Sequence, residues 1–242
     1  MTLRDWKDKE IPIVKSRGGK ISVCNYEDNL IIPKSAVWPN PDIVKKLYKS
    51  NQSKAFDREA LEALSAKLGF YCDLQSLRSE DAITWSVFGT LHCFSKESQT
   101  QFVNSMLKLI GEEPNVTDCS IQLWTRITHP DTNGSGGPEL DFQILGDNVV
   151  VFGECKWNSK VAENQGKQKD KNQIQLRLEY LKKYGKRIFP HVNRRLGLLV
   201  EPISQRNSPL PHVTWQEICN NTEHPLKEEI KSYYNWKKNY GT

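Results

Sequence analysis

The stretch that decides the fold is PELDFQILGDNVVVFGECKW, Pro138 to Trp157. Two apolar runs of strand length flank Asp147-Asn148, and both of these residue types tolerate the left-handed backbone that two-residue hairpin turns require. With that turn, Leu145 stands opposite Val150, Gln143 opposite Phe152 and Asp141 opposite Glu154. Opposed residues share a face of the hairpin, with Cβ atoms about 5 Å apart. Lys156, two residues beyond Glu154, shares that face. The spacing therefore gathers two carboxylates and an ammonium at one end of one hairpin. A three-residue turn would move the pairing by one position.

Two carboxylates so placed repel unless something cationic neutralises them. A divalent metal does this well, because hard oxygen ligands suit Mg²⁺. The plainer reading is a surface hairpin whose acids pair with Lys156. Against it, the triplet Glu154-Cys155-Lys156 closes an apolar strand, VVVFGECK, and its partner acid stands at hairpin register.

Outside the hairpin, the chain of 242 residues is long enough for one large domain with extensions. The mean hydropathy is −0.63 and no apolar run approaches the length of a membrane helix. The N-terminus, MTLRDWKDKEIPIVK, carries charges throughout and no apolar core of a signal peptide, so a cytoplasmic, intracellular protein without membrane association is expected. The six cysteines are scattered, with no CxxC pair, which argues for free thiols and against a zinc site built on close Cys pairs. Net charge is only +5, yet Glu154 to Arg195 holds 12 Lys/Arg against 4 Asp/Glu. A basic flank of this kind is a solvated face or the footprint of a polyanion.

Residues 1–70 read as an N-terminal extension, partly irregular, with helices at IVKKLYK and from Asp57 to Leu68. Residues 71–205 read as the core and 206–242 as a helical tail. SEDAITWSVFGTLHCF (Ser79–Phe94) is a helix with Ser79 as cap and Glu80 and Asp81 in its first turn, where the helix dipole favours acids. A further helix runs from Ser98 to Ile110 and stops at Gly111. IQLWTRI alternates like a strand, NGSGG (Asn133–Gly137) is a loop, a basic helix spans Lys167 to Tyr184, and LGLLV is a buried strand. HVTW adds a short strand, and helices follow it. Helices alternating with strands around one hairpin predict an α/β domain with a mixed central sheet flanked by helices.

Pro138, Asp141, Glu154 and Lys156 together resemble the motif of the PD-(D/E)XK nucleases, the restriction-endonuclease-like superfamily. In this chain Pro138 and Asp141 are separated by Glu139-Leu140, a looser spacing than the motif's name implies. The resemblance covers about residues 78–200. It implies a restriction-endonuclease-like fold and a metal-dependent nuclease with Mg²⁺ as cofactor, replaceable by Mn²⁺. Asp141 and Glu154 would ligate the metal, with the Cys155 carbonyl as a third ligand. Lys156 would position the attacking water. The substrate would be nucleic acid, DNA on the family precedent, cut to 5′-phosphate and 3′-hydroxyl ends in restriction, defence or repair. A phosphodiester resists nucleophiles, so such a site must supply cationic stabilisation and an activated water.

Supporting positions follow. Such nucleases often carry an acid on an early helix, and Glu80, in line with Ile83, Thr84, Val87 and Leu91, is the candidate for a further metal and catalytic carboxylate. Its alternative role is to serve the helix N-terminus. In the basic helix, Gln173 and Arg177 fall inside the apolar side, one turn apart, and buried polar groups need partners. Gln173 is a catalytic candidate. Arg177, Asn158 and Lys160 are candidate contacts to the sugar-phosphate backbone. A double-strand cutter would need two sites and hence a homodimer, but no dimer face is legible. The competing reading is a non-catalytic nucleic-acid-binding or protein-interaction module on the same fold.

Overall fold

The computed structural model describes residues 1–50, 72–131, 137–158, 173–202 and 211–240. The helix expected at Asp57–Leu68, the NGSGG loop before Gly137, the first turns of the basic helix and Lys160 lie outside these residues. The chain forms two compact units, Met1–Cys93 with Glu228–Thr242, and Phe94–Lys227. The boundaries expected at residues 70 and 205 fall inside the first and the second of these units. Among the described residues no helix is long and apolar enough to cross a membrane.

The first unit opens with a three-stranded antiparallel sheet, β1 (Thr2–Arg4), β2 (Glu10–Lys15) and β3 (Ile21–Val23). Alternation along β2 turns Ile11 and Ile13 inward. Helix α1 (Pro41–Ser50) and helix α2 (Glu80–Phe88) follow. Ser79 caps α2 by accepting from the Ala82 N–H at 3.0 Å, as the sequence suggests. Buried Asn29 ties this unit together. Its amide nitrogen donates to the Leu74 and Ser76 carbonyls at 2.6 and 2.8 Å, and its own carbonyl accepts from the Tyr233 hydroxyl at 2.7 Å. Tyr233 belongs to the last helix, α6 (Lys227–Tyr240), so the chain's end returns to its beginning.

The second unit is built on a five-stranded sheet in the order β4 (Cys119–Arg126), β5 (Glu139–Gly146), β6 (Val149–Cys155), β7 (Arg194–Glu201), β8 (His212–Thr214). The first three strands are antiparallel neighbours, whereas β6–β7 and β7–β8 are parallel. The sheet is therefore mixed, as the alternation of elements predicts. Parallel neighbours need a crossover, and α4 (Gln173–Ile188) lies on the one between β6 and β7. Because successive strand residues alternate faces, Val150, Phe152 and Leu199 share one side. There Val150 and Phe152 pack with Tyr180, Leu181 and Tyr184 of α4, and Leu199 packs with Ile174. Helix α3 (Lys96–Leu109) takes the other side, where the Thr100 hydroxyl meets the Cys119 thiol at 3.7 Å. Ser95 caps α3 through the Ser98 N–H. The register of β5 with β6 pairs Leu145 with Val150 and Gln143 with Phe152, the pairing that the Asp147-Asn148 turn implies.

Gly153 is required by its neighbour. A Cβ there would meet the ring of Phe142, its cross-strand partner, at 2.1 Å. The bare backbone lets that ring lie across β6 immediately before Glu154.

Candidate active site

One step beyond the last β5–β6 pair, Phe142 with Gly153, Asp141 comes opposite Glu154. The Asp141 carboxylate turns toward β6 and its Oδ2 accepts from the Cys155 N–H at 2.8 Å. Glu154 is 1 % exposed. Its Oε1 accepts from the Lys156 ammonium at 2.8 Å, and its Oε2 is ion-paired with the Arg177 guanidinium. Lys156 is 8 % and Arg177 6 % exposed. Half-buried Asp141 and buried Glu154 and Lys156, three of the four residues that carry the resemblance, thus share one cluster, and a guanidinium from α4 joins it.

The backbone at Lys156 is held from two sides. Its N–H donates to the Val200 carbonyl at 2.7 Å, and its carbonyl accepts from the Trp215 indole at 2.7 Å. Trp215 opens helix α5 (Trp215–Asn221), which is fixed by a capping box between Thr214 and Glu217. Anchoring a functional side chain through rigid neighbours is what a site needs to hold its geometry.

Burial first, then the Asp141 charge, push the Glu154 carboxyl up to about 8, against the pull of Arg177 and Lys156. A carboxylate in that position gains from any further positive charge. The donor chemistry therefore fits a hard divalent cation: two carboxylates, with the Cys155 carbonyl next to Glu154 in sequence. Among the described residues no cluster of three or more His, Cys, Asp or Glu side chains is placed to hold a metal. Any cation here would share Glu154 with Lys156 and Arg177.

The other candidates fall as follows. Glu80 stands in the first turn of α2, in the first unit, where its carbonyl accepts from the Thr84 hydroxyl at 2.8 Å. The neighbouring Asp81 pairs with Lys46 at 2.9 Å. Gln173 opens α4, and its side chain lies outside what the structure describes. Asn158 is exposed just after the motif. Arg177, a candidate for contact with phosphate, reaches Glu154, and its second amino group donates to the Glu139 carbonyl at 2.5 Å. It therefore bridges β5 and β6.

Two features escaped the sequence reading. Glu201, 1 % exposed, ends β7. It falls one step beyond the Cys155–Val200 pair, so it is the cross-strand neighbour of Lys156 and on the face of Glu154. A signal existed, since LGLLVE repeats the pattern of VVVFGE, an apolar strand closed by an acid. The second is Trp124, whose φ of 48° lies in the left-handed region in the middle of β4. The ladder pairs Leu123 with Phe142 and Thr125 with Leu140, which leaves Trp124 at the position facing Asp141. Left-handed backbone at a bulky residue costs roughly 1–3 kcal/mol and concentrates at functional sites.

No protein-family model matches the chain, and no match was found among curated proteins or solved structures. The reading of the site therefore rests on its residues and their geometry.

Proposed function

We propose that the chain is a metal-dependent nuclease that hydrolyses phosphodiester bonds, with DNA as substrate, on a restriction-endonuclease-like core. The observation that carries this reading is the cluster of half-buried Asp141 with buried Glu154 and Lys156 at one end of the β5–β6 hairpin. The order of the sheet supports it too. An antiparallel run of three strands continues into a parallel strand through a helix, which makes the mixed sheet such a core needs.

Asp141 and Glu154 would hold Mg²⁺ or Mn²⁺ together with the Cys155 carbonyl. When bound, the cation would supply an acidified water and charge neutralisation on the phosphate. The chain's own residues supply the rest. The Cys155 N–H orients the Asp141 carboxylate. The Lys156 ammonium, its backbone clamped by Val200 and Trp215, orients the attacking water and offsets charge growing on the phosphate. Burial of the cluster strengthens both effects, because water screens them less.

A second reading draws on one observation: both oxygens of Glu154 are already engaged by cations. A fold kept for binding alone would hold the acid in this way. Purified protein incubated with single- and double-stranded DNA and RNA, under Mg²⁺, Mn²⁺ or EDTA, separates the two. Metal-dependent cutting that Lys156→Ala abolishes supports the nuclease. Salt-sensitive binding without cutting favours the binding module.

A further inference from the structure

Resting on the metal-dependent reading above, we infer that Arg177 is the exchangeable counter-ion of the site: its guanidinium holds Glu154 Oε2 until a divalent cation takes its place. Glu154 is almost fully buried, and a buried carboxylate needs a charged partner. It has two. Lys156 is two residues away on the same chain segment, fixed by the hydrogen bonds of its own backbone. Arg177 comes from a different element, α4, through a long side chain.

The two cations are therefore not equivalent. Lys156 belongs to the motif and takes Oε1, at 2.8 Å. Arg177 takes Oε2, the oxygen left over. A divalent cation at Asp141 and Glu154 and a guanidinium on the same Glu154 oxygen would repel each other at contact distance. Arg177 is the partner able to leave, because its other amino group has an independent anchor in the Glu139 carbonyl at 2.5 Å. After the exchange, that guanidinium stands beside the site with free donors. A planar guanidinium is well suited to phosphate oxygens. Arg177 would then serve the protein twice: it neutralises Glu154 while metal is absent, and it faces the anionic substrate once metal is present.

The test is Mg²⁺ binding by calorimetry, with no nucleic acid present, on wild type, Arg177→Gln, Arg177→Lys and Asp141→Asn. Removing a unit charge within about 5 Å of a dication should tighten binding by roughly tenfold or more. Arg177→Gln should show that gain. Arg177→Lys, which keeps the charge but cannot span Glu154 and the Glu139 carbonyl together, should fall between. Asp141→Asn should lose binding. Equal or weaker Mg²⁺ binding by a folded Arg177→Gln protein would overturn the inference and leave the metal site standing. If Arg177→Gln does not fold, Arg177→Lys decides, and wild-type affinity there overturns it. No Mg²⁺ binding by any of the proteins removes the metal-dependent reading and this inference together.

Discussion

Lys237 offers a prediction that can be worked through in numbers. It lies in α6 and is 0 % exposed. Its ammonium donates to Asn29 Oδ1 at 3.4 Å and stands 5.7 Å from the centre of the Tyr233 ring. Burial pulls its pKa down from 10.5 to about 7. The unfolded chain therefore binds more protons than the folded one between about pH 7 and 10.5, and stability rises with pH across that window. Below pH 7 the penalty is complete. At about 1.4 kcal/mol per pKa unit it amounts to about 5 kcal/mol. Lys237→Met removes it but leaves Asn29 Oδ1 without its donor, at a cost of about 1–3 kcal/mol. The variant should therefore be more stable than wild type by at least about 2 kcal/mol at pH 6. The advantage should shrink as pH rises above 7 and reverse between about pH 8 and 10, where the remaining penalty falls to the roughly 1–3 kcal/mol lost at Asn29. Urea unfolding followed by ellipticity and tryptophan fluorescence at each pH measures this difference, and the other titrations cancel in it. A difference that stays constant from pH 6 to 10 would refute the reasoning, because it would show that the ammonium reaches water in the folded state.

Two further predictions concern the second unit. Gly153→Ala places a methyl 2.1 Å from the buried Phe142 ring, so it should lower stability by about 1–3 kcal/mol, read from the urea midpoint. Trp215→Phe removes the indole donor to the Lys156 carbonyl; it should cost about 1–2 kcal/mol in the same experiment and lower the cleavage rate with metal affinity unchanged.

The hairpin was legible because its register is local. Asp147-Asn148 fixes the turn, and everything from Leu145 with Val150 outward follows. Ser79 was legible for the same reason, since a cap acts within one turn. The sequence suggests a start of α3 at Ser98, whereas Ser95 caps it and Lys96 begins it; both serines precede apolar helix, and only the backbone distinguishes them. Arg177 stood out as a polar residue on an apolar face, but its destination did not. That depends on how α4 crosses the sheet, which no periodicity records. Glu201 was missed because its meaning comes from parallel pairing with β6, between segments 45 residues apart. Lys237 was within reach: it stands at helical spacing from Ile230 and Tyr233, on the buried stripe of α6, although KK in a basic tail reads as solvent-exposed. The return of α6 to Asn29 was beyond any local signal, because it joins the two ends of the chain.

The most direct test of the central claim is one cleavage experiment with Mg²⁺, in which wild type, Asp141→Asn, Glu154→Gln and Lys156→Ala act on the same DNA. Wild type should cut, EDTA should stop it, and each variant should lose at least roughly a hundredfold in rate while remaining folded. Cutting at the wild-type rate by Asp141→Asn and Glu154→Gln would contradict the account, since the cluster at the end of the hairpin would then have no part in the chemistry.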